Sequence, residues 1–384
     1  MHNEKTTITA SIASLYKRLF THYTVMASDL FDKFRFGQGA GNTNHRPTNT
    51  PQPDSSPESS GSAVPSTPSD GSVGNTPPPA SGNTFDRSQL GQVFIPPSLL
   101  SLDSGNAPKM DDATFKKFRD FVYEQCGISF TENKKYLLEG RIAKRLEAHN
   151  LTTFDEYYRL ISSSAAAREE LPSLFEVVTI NETYFFRNPP QFEALEQVIL
   201  PEILKAKQAQ GNKKLRIWSA ASSSGEEAYT MSMMILERIK PQFPGFTFEI
   251  VGSDINTAVL EKARSGVFKE YSVRNMPAHY LNKYFTRDGD KYVLTPEVRN
   301  QVKFICVNLY DTPTMRTMTG FDVVFCCNVL IYFDTIAKQQ VVADLYDALN
   351  KSGYLFIGYS ESLHGVSKAF KLVHFPKTIA YKKE

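Results

Sequence analysis

Near the start of the chain the apolar positions Ile8, Ile12, Leu15, Leu19, Tyr23, Met26, Leu30 and Phe34 recur at steps of three and four. That period lines one stripe along a helix and predicts an amphipathic helical segment over residues 1–37. Nothing nearby covers the stripe. A partner helix or second copy, a membrane surface, and a weakly formed helix without a role all stay open. Residues 38–108 lose the pattern. Pro, Ser, Gly, Thr and Asn dominate, as in "NTPPPASGNT", and too little apolar surface is present to offset the entropy of ordering. A disordered linker is expected there.

Helical spacing returns over 109–180. "DDATFKKFRDFVYEQCG" opens with acidic cap residues and ends at Gly127, a helix stop. "TENKKYLLEGRIAKRLEAHN" reads as a second helix with Leu138, Ile142 and Leu146 on one face. "TTFDEYYRLI" and "REELPSLFEVV" suggest two more, giving a small helical domain. Over 181–384 strand-like runs ("KLRIWSA", "FTFEIVGSDI", "QVKFICVNL", "FDVVFCCNVL", "GYLFIGYS") are interspersed with helical ones such as "GEEAYTMSMMILERI" and "IAKQQVVADLYDALN". Near-continuous apolar strands joined by helices imply an α/β fold with a parallel sheet covered on both faces. "FKLVHF…TIAYKK" reads as a closing hairpin. Residues 266–300 break the alternation and look like an insertion in which "RDGDKYV" turns a small β-hairpin.

Charge changes the picture little. With 43 basic and 41 acidic residues, no global attraction to nucleic acid or anionic membrane is expected, so any electrostatic recognition must be local. Cys126, Cys306, Cys326 and Cys327 form no C-x-x-C pair, and the last two point to opposite faces of a strand. Reduced thiols without a metal site are expected, in a cytoplasmic protein. No run approaches the ~20 apolar residues that span a bilayer, and no secretory signal is read at the N-terminus.

Ligands of open α/β sheets bind beyond the carboxyl ends of the strands, near the first βα turn. Here that turn is Ser219–Gly225, "SAASSSG". Its small residues let the backbone approach a ligand, and a helix N-terminus follows. The G-x-G-x-x-G of nicotinamide dinucleotide sites is missing. Glu226 and Glu227 open the helix instead; they suit a ligand with a cationic end, or simply cap the helix dipole. Asp254, at the end of the second strand, is placed to accept from ribose hydroxyls, or is a solvated strand end. Asn308 and Asn328 stand near the same edge and can hydrogen-bond an adenine or an amino-acid group. In "NETYFFRNPPQF", Asn181, Thr183 and Arg187 alternate with Tyr184 and Phe186, so the polar groups can face one ligand and the aromatics face away; an aromatic-packed interdomain hinge is the other reading.

Five stretches, "NETYFFR", "IWSAASSSGEEAYTMSM", "GSDINTAVLEKARSGVF", "FDVVFCCNVLIYFD" and "GYLFIGYSESL", resemble in order and spacing those of the chemotaxis receptor protein-glutamate O-methyltransferases, the CheR family. The resemblance runs from about residue 110 to the end. It implies a small N-terminal helical domain, then a Rossmann-like class I methyltransferase domain with an inserted β-subdomain. It also implies S-adenosylmethionine as cofactor, contacted by Asn181, Thr183, Arg187, Glu227 in preference to Glu226, Asp254, Asn308, Leu309, Asn328 and Val329. Arg187 and Tyr332 would be catalytic, near the transferred methyl. The implied activity is methyl esterification of glutamates on methyl-accepting chemotaxis receptors, giving sensory adaptation. Lys134, Arg141, Lys144 and Arg145, taken as the polar side of the second helix opposite Leu138, Ile142 and Leu146, would form a basic patch steering toward acidic receptor helices. Two features depart from the family: Ala228 stands in "GEEAYT" where "GEEPYS" is familiar, and the short insertion hairpin leaves contact with a receptor tether peptide open. A glutamate carboxylate is already ionised at neutral pH, so no general base is needed and positioning should dominate. A cofactor-sensing adaptor and a methyltransferase for another carboxylate or a small molecule are the rival readings.

Overall fold

The structure, a computed structural model, describes residues 108–163 and 165–384. The helix expected over 1–37 and the linker expected over 38–108, apart from its last residue, lie outside the described residues.

Asp111 accepts the Thr114 N–H (2.7 Å) and starts helix α1, Asp112–Cys126; Gly127 ends it in the left-handed region. Helix α2 spans Lys135–Ala148. A capping box between Thr153 and Glu156 opens α3, Phe154–Ser162, and α4 runs over Ala166–Val178. Phe118, Leu138, Ile142, Tyr157 and Leu174 are fully buried between these helices.

The basic patch drawn across α2 does not exist as one solvated face. Each residue turns a helix by about 100°, so Arg141 and Arg145 share the stripe of Leu138, Ile142 and Leu146 rather than opposing it. Arg141 is 6% exposed and donates to the Val178 carbonyl (2.7 Å). Arg145 is bidentate on the buried Glu170 (2.7 and 2.9 Å), which also meets Tyr157 Oη (2.6 Å) and His149 Nε2 (2.7 Å). Of the four, only Lys144 is exposed; Lys134 is half-buried and precedes α2 in a 3₁₀ turn.

Helices α5 (Pro189–Ala194) and α6 (Leu200–Ala209) flank a π turn and lead into β1, Lys214–Ala220. Then come α7 (Glu226–Met234), β2 (Thr247–Asp254) and α8 (Thr257–Ser265). The insertion places β3 (Val267–Lys269), β4 (Phe285–Asp288) and β5 (Lys291–Leu294) in a small antiparallel sheet of order β3-β5-β4. β6 (Val302–Cys306), β7 (Phe321–Cys326), α9 (Thr335–Ala348), β8 (Leu349–Ile357), β9 (Phe370–Phe375) and β10 (Thr378–Lys383) complete the chain. The main sheet has the order β6-β2-β1-β7-β8-β10-β9, parallel from β6 to β8, with β10 antiparallel to both its neighbours. The chain therefore moves outward from β1 through β2 to β6 and crosses back to β7. That reversal opens a crevice at the carboxyl ends of β1 and β7. A helical N-terminal domain followed by a mixed-sheet methyltransferase-type domain is the fold class expected above.

The helical domain seals one side of this crevice. Ile128 bridges Phe333, the Ser129 N–H donates to the Tyr332 carbonyl (2.9 Å), and Tyr123 Oη donates to Asp334 (3.1 Å). Among the described residues no helix is long and apolar enough to cross a membrane, no side-chain cluster fits a metal ion, and the four cysteines are free.

Burial alone would raise the Glu170 carboxyl, but the bonds from Arg145, Tyr157 and His149 outweigh it and hold it below its ordinary value. Glu170→Gln strips the ionic partner from Arg145 and should cost about 3 kcal/mol. Urea unfolding should show a lowered midpoint at unchanged slope, while the exposed neighbour substitution Glu169→Gln should stay within about 0.5 kcal/mol.

Candidate cofactor and acceptor site

After β1 the chain turns through Ala221 (φ +59°) and Ser223 (φ +52°) into α7. Such left-handed positions persist only where neighbours hold them. Ser222 N–H donates to the Ser253 carbonyl (2.7 Å) and Ser223 N–H to Asp254 (2.9 Å). The other Asp254 oxygen accepts the Asn256 N–H (3.0 Å). Burial pushes the Asp254 carboxyl up and these peptide bonds pull it back. Each oxygen still has lone-pair capacity for a hydroxyl.

Two glycines at and beside this turn answer to packing. A Cβ on Gly225 (φ +91°) would meet Phe304 Cζ at 2.7 Å, and one on Gly252 would meet the same ring at 2.5 Å. Phe304 lies across the start of α7 and the face of β2, and only hydrogen fits beneath it.

Consecutive residues on a helix diverge, and the acidic pair separates accordingly. Glu226 is 1% exposed and accepts from Ser224 Oγ (2.8 Å) and Ser272 Oγ (2.9 Å), tying the turn to the insertion. Glu227 is half-buried at the crevice and accepts from Ser219 Oγ (2.7 Å). Burial pushes its carboxyl up to about 7; Ser219, Cys327 and the Arg187 charge act against that, and the charge of Glu361 adds to it.

The "NETYFFR" segment is a turn rather than a strand. Asn181 Oδ1 accepts from Asn256 Nδ2 (2.9 Å) and Thr179 Oγ1 (2.9 Å), and its carbonyl accepts from Ser223 Oγ (3.0 Å). Phe186 adopts φ +55°, and its N–H donates to Thr230 Oγ1 on α7 (3.2 Å). The simple alternation of polar and aromatic sides therefore fails. Phe185 and Phe186 are buried, but Tyr184 stays beside Arg187, whose guanidinium lies 5.7 Å from its ring. Arg187 Nη1 donates to the Glu182 carbonyl (2.7 Å). From there its charge acts on both Glu227 and Tyr332. Thr183 is half-buried in the same turn.

At the other strand ends, Asn308 has both ends of its amide engaged, Nδ2 on the Gln125 carbonyl (2.7 Å) and Oδ1 on the Tyr310 N–H (3.0 Å). It joins the sheet to α1, and its side chain is taken up by the fold. Leu309 is 6% exposed within the core. β7 stops at Cys326 because Asn328 turns left-handed (φ +61°), so Asn328 and half-buried Val329 lie beyond the strand rather than in it. Tyr332 ends the following 3₁₀ turn, Leu330–Tyr332, half-buried. Burial raises its phenol, opposed by the charges of Arg141 and Arg187. Asn181, Arg187, Glu227, Asp254, Asn328 and Tyr332 thus lie on the turns around the carboxyl ends of β1, β2 and β7, while Arg141 is bonded within the helical domain. Ser223, Asn256 and Glu361 belong to these turns as well and were not singled out from sequence. Asn256 carried a legible signal as the side-chain cap of α8, accepting the Val259 N–H (3.2 Å).

Residues 113–179 match the family described as CheR methyltransferase, all-alpha domain, and residues 181–379 match CheR methyltransferase, SAM binding domain. The chain belongs to the CheR methyltransferase family. It is 37% identical over 273 residues to "Chemotaxis protein methyltransferase 2" of Vibrio cholerae, covering 71% of this chain and 93% of that one. It is 34% identical to "Chemotaxis protein methyltransferase 1" of Pseudomonas aeruginosa, covering 71% and 98%. A "Chemotaxis protein methyltransferase" of Borreliella burgdorferi is 34% identical over 64% of this chain and 86% of its own. This CheR-family chain is an S-adenosylmethionine-dependent methyltransferase, and its donor set fits that cofactor. Glu227, half-buried and bonded through Ser219, suits a cationic amino-acid head, and Asp254 keeps acceptor capacity for ribose hydroxyls.

With its carboxyl near 7, Glu227 is protonated below neutrality and ionised above it. A ligand bearing an ammonium group favours the ionised form, so affinity should fall as pH drops through 7. Calorimetry with S-adenosylhomocysteine should show binding about tenfold weaker at pH 6 than at pH 8, and Glu227→Gln should remove this dependence.

Proposed function

We propose that this CheR-family enzyme esterifies glutamate side chains on the cytoplasmic domains of methyl-accepting chemotaxis receptors, giving sensory adaptation. The names of its relatives support the chemotaxis setting. The observation that supports the carboxylate acceptor is Arg187, half-buried and held by the Glu182 carbonyl (2.7 Å) in the turn beside the crevice. A guanidinium held there favours an anionic acceptor over a neutral one.

In this reading Glu227 meets the amino group of the cofactor and Asp254 its ribose. Asn181, Thr183, Asn328, Val329, Leu309 and the Asn308 backbone line the remainder. When bound, S-adenosylmethionine supplies an electrophilic methyl group. The acceptor carboxylate is an anion at neutral pH and requires no proton removal. Arg187 and Tyr332 orient it. Arg187 is fixed by the Glu182 carbonyl, and Tyr332 by Ser129 from the helical domain. Placement of the acceptor and exclusion of water then account for the rate. Receptor recognition rests on Lys144 and Lys134, with Arg141 and Arg145 bracing α2 through the Val178 carbonyl and Glu170.

Incubating the full chain with radiolabelled S-adenosylmethionine and receptor-bearing membranes should label the receptors, and alkali should release the label as methanol. Arg187→Ala should lower kcat about 100-fold through misplacement of the acceptor, and Tyr332→Phe about tenfold through loss of one hydrogen bond. Alkali-resistant label would point to an acceptor other than a carboxylate and overturn the reading.

A further inference from the structure

The turn that carries Asn328 and Tyr332 has little reason of its own to keep its shape. β7 ends at Cys326, Asn328 takes a left-handed φ of +61°, and the 3₁₀ turn is three residues long. One such turn is not self-supporting in water. Its peptide N–H groups are instead gathered by a side chain from the end of the neighbouring strand. Glu361 is 9% exposed. Its Oε2 accepts the N–H groups of Asn328 (2.9 Å) and Gly358 (2.6 Å), and its Oε1 accepts the N–H of Ile331 (3.1 Å). Glu361 in turn donates its own N–H to the Gly358 carbonyl (2.9 Å), which closes the loop after β8 beneath the carboxylate.

Gly358 reports how close the two strand ends lie. A Cβ there would meet Asn328 Nδ2 at 2.7 Å, the Asn328 nitrogen at 2.8 Å and Glu361 Oε2 at 2.8 Å. We propose that Glu361 is a positioning residue for methyl transfer: its carboxylate locks the end of β7 to the end of β8 and so presents Asn328 to the cofactor and Tyr332 to the acceptor. The proposal rests on the reading that those two residues face the reacting groups. The anion itself is too well bonded to do the chemistry, because all three hydrogen-bond partners named here are peptide N–H groups. A glutamine of the same shape keeps one oxygen, and its NH₂ must then confront an N–H. Tyr332 is held on its other side by Ser129 and the Ile128–Phe333 bridge. Losing Glu361 should therefore loosen the turn without releasing it from the helical domain.

The test uses the full chain with Glu361→Gln, alone and combined with Tyr332→Phe. In Glu361→Gln, amide hydrogen exchange should speed up at Asn328, Ile331 and Gly358 while the helical domain stays protected. Receptor methylation should lose roughly 10- to 100-fold in kcat, the range for a lost charge-assisted hydrogen bond, with the receptor KM within about threefold. Because Glu361 acts through Tyr332 as well as Asn328, part of the loss should disappear in the Tyr332→Phe background. An equal loss in both backgrounds, unchanged exchange at the three amides, or loss of protection throughout the protein would each overturn the assignment. Should the parent chain leave receptors unmethylated, the receptor reading fails, and the exchange pattern alone decides for or against Glu361.

Discussion

The crevice depends on one buried carboxylate that is spent on the backbone. Asp254 takes the N–H of Ser223 from the turn after β1 and the N–H of Asn256 from the start of α8. The first bond stabilises a left-handed residue and so sets the direction in which α7 leaves the sheet. The second fixes Asn256, whose side-chain amide reaches Thr179 and Asn181 (3.0 and 2.9 Å) at the junction with the helical domain. The placement of Glu227 on α7 and the root of the segment carrying Arg187 both trace back to this carboxylate. A charged acceptor bonded to peptide N–H groups is among the stronger hydrogen-bonding arrangements, and it offsets the cost of burying the acid.

Four acids sit in or under the crevice, and their hydrogen bonding separates their duties. Glu226, Asp254 and Glu361 are deeply buried and each accepts from two or more protein groups, so they shape the walls. Glu227 is half-buried, is bonded through Ser219, and stands in the fields of Arg187 and Glu361. Besides Asp254, whose two oxygens each keep a free lone pair, it is the acid with acceptor capacity to offer a ligand. The same burial that raises its carboxyl toward neutrality makes a cationic head group the natural partner, since ionisation and binding then favour each other.

The helical domain contributes a wall to the crevice. Its contacts at Tyr123, Gln125, Ile128 and Ser129 all meet the loops that follow β6 and β7. Arg141, on the inner stripe of α2, is bonded to the Val178 carbonyl and lies 5.9 Å from the Phe130 ring, and its charge is felt at Tyr332. A guanidinium kept in such a half-dry setting acts more strongly on a carboxylate than an exposed lysine would.

Local periodicity was enough to read four helices, the alternating strands, the closing hairpin and the hairpin β4–β5 of the insertion, because each pattern lies within a short window of chain; the pairing of β3 with β5 was not legible there. The family motifs likewise pointed to Arg187, Glu227, Asp254 and Asn328 as residues of one site. Other features turned on groups far apart in sequence. Phe304 decides why Gly225 and Gly252 are glycines, and Gln125 takes up the amide of Asn308. The end of β8 supplies the carboxylate that shapes the turn after β7. Even the facing of Arg141 and Arg145, legible in principle from the helical period, was settled by what packs against α2: Val178 and Glu170 accept those guanidinium groups inside the domain. Sequence spacing assigns a residue to a side of its own element. Which partner waits on that side is set by the packing of segments that are distant along the chain, and that partner decides whether a charge serves the fold or the ligand.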